Sequence, residues 1–269
     1  MNQPLAYVHP QAKIAPNVVI EPFVNIEKNV IIDEGTWIGS NVTIMEGARI
    51  GKNCKIFPGA VISAIPQDLK FAGEETTVEI GDNTTIREFV TINRGTKASN
   101  KTVIGNNCLL MAYVHIAHDC ILGDQVILAN ACNLAGHIEI DDWAIVGGLS
   151  AVHQFVHIGK HTMISGGSLV SKDVPPFSKA AREPLAYVGV NSIGLRRRGF
   201  SNIKINEIQD IYRYLFLKGK NITQAVTYIE ANIPATPERD EILAFINRSQ
   251  RGMMKGYIGL KEKNNKNSI

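Results

Sequence analysis

The sequence is short of net charge, of cysteine and of long apolar runs. A net charge of +3 over 269 residues creates no dominant field, which argues against a dedicated nucleic-acid binder. No apolar stretch approaches the roughly 18 residues of a transmembrane helix, so no integral membrane segment is expected. The start Met1-Asn2-Gln3-Pro4 lacks the charged residue and apolar run of a secretory signal. Only four cysteines occur, Cys54, Cys108, Cys120 and Cys132. They read as buried inert thiols rather than a disulfide framework or a metal set. Free thiols suit a reducing compartment, so a cytoplasmic location is expected.

What the chain has is a repeat. Steps of six from Val8 reach Ile14, Ile20, Ile26, Ile32 and so on to Val170, and 25 of the 28 positions are Ile, Leu or Val. The exceptions are Asp68, Glu74 and Ala98. Neither the helical period nor the plain strand period predicts six. Four residues after each large aliphatic comes a smaller residue, as at Ala12, Val18, Ala48 and Ala60, and Gly39, Gly51, Gly105, Gly123 and Gly159 directly follow one. A large inward residue, a small inward residue and a turn make a short strand plus a corner. Repeated, they read as a parallel β-helix. Three hexads close a coil of 18 residues, so residue n+18 stacks on n at about 4.8 Å. The four cysteines all take the small inward position, and the spacing of 12 puts Cys108, Cys120 and Cys132 on different walls.

Two segments break the repeat, 63–79 and 93–103. The phase modulo six survives both, which predicts that each loops out and returns to the same wall. Loops on a rigid scaffold tend to carry function. Asp173-Val174-Pro175-Pro176 is expected to end strand pairing, since Pro has no N–H. The apolar period then becomes helical. A first helix runs from a Ser201 cap through Ile203, Ile208, Ile211 and Leu215 to near Gly219. Thr223 caps a second through Tyr228 and Ala231. Thr236-Pro237-Glu238 opens a third through Leu243 and Ile246. The polar tail Lys261–Ile269 is expected to fray. The expected architecture is mainly β: a β-helix over 1–183, with loops near 63–79 and 93–103, then a helical domain over 184–269. A triangular prism leaves its outer faces bare, so an oligomer is expected.

Coil arithmetic gathers the histidines. Gly136 lies 18 after His118 and Gln154 lies 36 after; His137 is one coil up and one residue on, His153 two coils up and one residue back. These form one vertical ridge, with His115 half a hexad away. A lone histidine is more often structural, but a ridge is not. Metal binding is a rival reading, since imidazole is a common ligand. The other is a general base: His118 followed by Asp119 supplies a base and a carboxylate to orient it, although Asp119 could equally be a corner-turning residue. A backbone N–H at Gly136 could hold an oxyanion. That set suits acyl transfer to a hydroxyl, with no cofactor and no nucleophilic serine or cysteine. Lys70, beside Gln67 and Asp68, could neutralise a phosphate or be simply solvated. Arg196-Arg197-Arg198 suits a phosphate or an acidic partner, or a solvated junction.

The segments Gln67–Glu74, Ile116–Cys120, Leu134–His137, Gly147–Phe155 and Gly194–Ser201 closely resemble the bacterial acyl-ACP–UDP-N-acetylglucosamine O-acyltransferases, which open lipid A synthesis. The hexads resemble the left-handed β-helix family, and the handedness comes from that resemblance. It implies a homotrimer with sites in the clefts between prisms. It implies transfer of an (R)-3-hydroxyacyl group from acyl carrier protein to the glucosamine 3-hydroxyl of UDP-N-acetylglucosamine. His118 would be the base, Asp119 its orienter and the Gly136 N–H the oxyanion donor. Asp68, Lys70 and His115 would hold the sugar and diphosphate, helped by Gln67 and His137. His153 and Gln154 would line the acyl and nucleotide side, and Asn191, Arg197 and Arg198 would meet the nucleotide or carrier phosphate. Gly166 matches the position that ends the acyl groove. Two residues depart from the family pattern. Asn93 stands where histidine is usual and cannot carry charge. Ile193 stands where an acidic residue can bind the nucleotide. The alternatives are an N-acyltransferase of the same pathway, whose usual extra N-terminal domain has no place before Val8, a zinc-dependent hydratase on the same prism, and a non-catalytic scaffold.

Overall fold

The large aliphatics of the hexads all point inward and close a prism with three parallel walls. The computed structural model describes residues 4–216 and 221–256. The first wall runs from Tyr7–Val8 through Asn25–Ile26, Val61–Ala64, Thr91–Asn93, His115–Ile116 and Asn133–Leu134 to Leu169–Val170. The second runs from Lys13–Ile14 to His157–Ile158, and the third starts at Val19–Ile20. The register steps by 18: His115 pairs with Asn133, and Asn133 with Ala151. The coil is a left-handed β-helix. Ile26, Ile44, Ile62, Ile92 and Ile116 stack up the first wall with no exposure. Each such burial contributes about 2 kcal/mol, repeated along the whole prism.

Corners turn through residues of positive φ, many of them Asn or Asp, as at Asn29, Asn41, Asn53, Asn83, Asn107 and Asp119. Short polar side chains tolerate that region best. The four cysteines are free and buried. Burial pushes the Cys120 and Cys132 thiols up to about 12, which keeps them protonated and inert.

Both loops correct the expectation of a return to the same wall. Val61–Ala64 lies on the first wall and Thr77–Ile80 on the second; Thr91–Asn93 lies on the first and Lys101–Ile104 on the second. Each loop is an enlarged corner between those two walls. Whole hexads are inserted there, so the phase survives while the chain moves on. The proline pair is a second correction. Pro175 and Pro176 fall at a corner beyond the last strand of the second wall, His157–Ile158, so their missing N–H groups interrupt no ladder between strands. Ser178–Ala181 then pairs in parallel with Met163–Ile164 on the third wall. An antiparallel strand, Ala186–Val190, and Lys255–Gly256 extend that wall further.

Four helices follow among the described residues: α1 Ser192–Arg197, α2 Asn202–Phe216, α3 Ile222–Asn232 and α4 Pro237–Arg248. Ser201 caps α2, its hydroxyl accepting from Lys204 N. Thr236 caps α4 by accepting from Arg239 N. The cap of α3 is Asn221 and not Thr223: Asn221 and Gln224 satisfy each other's backbone N–H in a reciprocal box. The expected stop at Gly219 and the tail Lys261–Ile269 lie outside the described residues. Helix α4 is pinned to the second wall. Asp141 bonds His157 Nε2 at 2.9 Å and Arg248 Nη2 at 3.1 Å, and Phe245 packs on the His157 ring.

Candidate active site

The corner between the first and second walls collects the site. Both enlarged loops leave from it. Above them, in successive coils, it carries His118-Asp119, Gly136-His137 and Gln154-Phe155. His137 N donates to His118 O at 3.1 Å and Phe155 N to Gly136 O at 3.3 Å, so the column is stitched through its backbone.

His118 is half-buried, and its Nδ1 lies 2.7 Å from Asp119 Oδ2. Donation to that carboxylate fixes the proton on Nδ1 and leaves Nε2 as the free basic nitrogen. Asp119 is buried with φ +60°, so it both turns the corner and orients the imidazole. Burial opposes its charge, but hydrogen bonds from Ser99, His118 and Thr96 outweigh that and hold its pKa at about 2. It is an anion throughout the working range.

Gly136 carries the close approach. A Cβ there would lie 2.6 Å from His118 Cε1 and 2.8 Å from Nε2. Only glycine lets the imidazole lie over the backbone. The His137 ring stands 88° from the His118 ring with centroids 5.1 Å apart. Burial lowers the His137 pKa, partly countered by the charge of Asp119 and, more weakly, of Asp68. Asp68 accepts from Lys70 N at 3.0 Å; Gln67 and Lys70 are exposed on the same loop. His115, on the neighbouring wall, bonds Thr91 Oγ1 through Nδ1 at 2.7 Å, and burial lowers its pKa. Both histidines are thereby favoured as neutral hydrogen-bonding groups. His153 and Gln154 are exposed two coils up.

The remaining expected residues lie elsewhere on the prism. Gly166 sits at the corner between the third and first walls, its Cβ position 3.0 Å from Gly148 O. Asn191 caps α1 and donates to His161 O at 2.9 Å. Arg198 donates to Trp143 O at 3.1 Å. Those two mark the corner between the second and third walls, with Arg197 exposed beside them in α1. Asn93 is buried, and its amide donates to Ile65 O at 3.1 Å, so it anchors the long loop. Ile193 is exposed in the first turn of α1.

Thr96, Ser99, Thr91 and Phe155 belong to the site and were not singled out from sequence. Phe155 alone had a signal, standing 18 after His137. Ligand atoms of His118, Asp119 and His137 lie within 4.8 Å of one another, which is the metal reading in its strongest form. Both Asp119 oxygens already accept from Thr96, Ser99 or His118, and a metal would have to displace those donors.

Comparison with known proteins bears on the chemistry. Residues 173–254 match a family model described as UDP N-acetylglucosamine O-acyltransferase, domain 2. Residues 101–136 match the bacterial transferase hexapeptide model, and 2–103 the GMPPB C-terminal domain. The chain is 42% identical over 193 residues to an acyl-ACP–UDP-N-acetylglucosamine O-acyltransferase of Myxococcus xanthus, covering 71% of this chain and 75% of that one. A solved UDP-N-acetylglucosamine acyltransferase from Bacteroides fragilis is 53% identical with a TM-score of 0.93, covering 95% of this chain and 100% of that one. One from Francisella novicida is 41% identical with a TM-score of 0.92, covering 95% and 94%.

Proposed function

The chain belongs to the acyl-ACP–UDP-N-acetylglucosamine O-acyltransferase family, and from that premise we propose how its own residues carry the reaction. The enzyme transfers an acyl group from acyl carrier protein to UDP-N-acetylglucosamine, the first step of lipid A biosynthesis. The named relatives favour this over the N-acyltransferase and zinc-hydratase alternatives.

The observation that carries the mechanism is the His118–Asp119 bond beneath the bare backbone of Gly136. His118 Nε2 takes the proton of the glucosamine 3-hydroxyl as that oxygen attacks the carbonyl of the (R)-3-hydroxyacyl thioester. The Gly136 N–H receives the tetrahedral oxyanion. Collapse breaks the carbon–sulfur bond, and the imidazolium returns its proton to the departing carrier thiolate. Asp119 stays ionised and holds the tautomer throughout. Asp68, Lys70, His115, Gln67 and His137 hold the sugar and diphosphate. His153 and Gln154 extend the acyl side, and Gly166 leaves room at the end of the groove. Asn191, Arg197 and Arg198 take the nucleotide or carrier phosphate.

Homotrimeric assembly is supported by where these residues lie. They occupy all three corners of one prism, and facing corners of neighbouring prisms would bring them together. Phe23, Phe89, Tyr113 and Leu149 are more than half exposed on the corner between the third and first walls, an apolar ridge that a neighbour would cover. Light scattering should give three times the 29.5 kDa chain mass. A cytoplasmic location fits the four free thiols, and no described helix is long and apolar enough to cross a membrane.

The deciding assay is acyl transfer from 3-hydroxyacyl carrier protein to UDP-N-acetylglucosamine, wild type beside His118→Ala. Loss of a general base should lower kcat by about 10²–10⁴-fold. Wild-type rates from His118→Ala would overturn the base assignment.

A further inference from the structure

Asp119 orients His118, and a loop holds Asp119. Thr96 donates twice, through N to Oδ1 at 2.9 Å and through Oγ1 to Oδ2 at 2.7 Å. Ser99 Oγ lies 2.5 Å from Oδ1 and Ser99 N 3.3 Å from it. Ser99 Oγ also faces Lys101 O at 2.9 Å; the single hydroxyl proton goes to the shorter, charge-assisted bond. The carboxylate therefore receives loop donors on both oxygens, while Oδ2 also takes His118 Nδ1. It cannot rotate without breaking several of these at once.

The loop is built to hold this shape. Asn100 N donates to Thr96 O at 2.8 Å and Ala98 N to Thr96 Oγ1 at 3.2 Å. Its base is pinched at Gly95, where a Cβ would lie 2.3 Å from Lys101 N. The corner itself needs no such support. His137 and Phe155 turn it one and two coils higher, with φ +60° and +64°, without an enlarged loop.

We propose that Thr96 and Ser99 are positioning residues for the acyl transfer: the loop 94–100 clamps the Asp119 carboxylate so that His118 keeps its proton on Nδ1 and presents Nε2 to the acceptor hydroxyl. This rests on His118 being the general base. The clamp acts through the base, by way of Asp119, so it belongs to kcat and not to KM.

The test is steady-state kinetics of Thr96→Val and Ser99→Ala, singly and together, in the full-length enzyme. The pair should lower kcat by about 10- to 100-fold, as loss of outer-shell support to a working histidine does, with KM for both substrates within about twofold. Thr96→Ser, which keeps the hydroxyl, should restore kcat. In an Asp119→Ala background the pair should cost nothing more, because the group through which it acts is gone. Should Thr96→Val not fold, the exposed Ser99→Ala carries the test, with Tm retained and kcat reduced. Wild-type kcat in the pair, a rise confined to KM, or an equal further loss in the Asp119→Ala background would each overturn the clamp. His118→Ala is measured alongside. Full activity there overturns the base assignment and the clamp with it, whereas its loss beside a fully active Thr96/Ser99 pair overturns the clamp alone.

Discussion

The ring of His137 lies flat against Phe155, centroids 4.6 Å apart and 7° from parallel. Phe155 stands one coil above His137, so the stack is enforced by the strand spacing. It holds His137 edge-on to His118 and limits its rotation.

Phe155→Ala removes that support. Aromatic stacks are worth about 0.5–1.5 kcal/mol. The KM for UDP-N-acetylglucosamine should rise about 3- to 10-fold, with kcat little changed and Phe155→Tyr close to wild type. A fall in kcat at constant KM would show that Phe155 acts on the chemical step instead.

Gly136→Ala places a methyl group inside contact distance of the His118 ring. The half-buried imidazole must swing away, and a misplacement of about 1 Å can cost about 100-fold in rate. We expect kcat to fall at least that far with Tm nearly unchanged. Activity near wild type would mean that His118 does not work from its observed position.

Stability should fall with pH in two stages. Burial, with smaller contributions from Arg198 and Lys160, lowers the His161 pKa from 6.5 to about 4. The unfolded chain therefore takes up this proton first, and stability present above 6.5 is lost as pH falls toward about 4. Asp119, held at about 2 against an ordinary 3.8, supports the fold above 3.8, and that support is lost on further acidification. His161 sits among Trp143, Phe177 and Phe200, so His161→Phe should fold and flatten the first stage of Tm against pH. An unchanged profile would assign the acid sensitivity elsewhere.

The buried thiols give a plain check on the prism. Cys120 and Cys132 have no exposure and are held protonated, and the thiolate is the reactive form. A water-soluble alkylating reagent should leave both unmodified in the native protein and label both in denaturant. Native labelling of either would contradict the packing.

The prism and its ridge were legible because both depend on counting. A period of six fixed the inward aliphatics, and a spacing of 18 brought His118, Gly136, His137, His153 and Gln154 to one corner. Counting stops where the chain leaves the wall. Thr96 and Ser99 reach Asp119 only because of how a loop folds, and no period specifies that. The same limit hid the loops' destination, since an insertion of whole hexads leaves the phase unchanged whichever wall follows. Pro175-Pro176 misled because the pair stands past the last strand of the second wall, where a missing N–H interrupts no ladder, and pairing resumes on the third. At α3 two adjacent cap chemistries competed, and Asn221 prevailed through its reciprocal bond with Gln224.

The stacked corner works as a graduated scale. Its marks are set by the strand spacing of about 4.8 Å and by nothing in the side chains. Mutation can change which group stands at a mark, as between His137 and Phe155, but cannot slide the mark. A substrate laid along the corner is therefore met at fixed intervals, and any change in its reach must come from the size of the residue at one graduation.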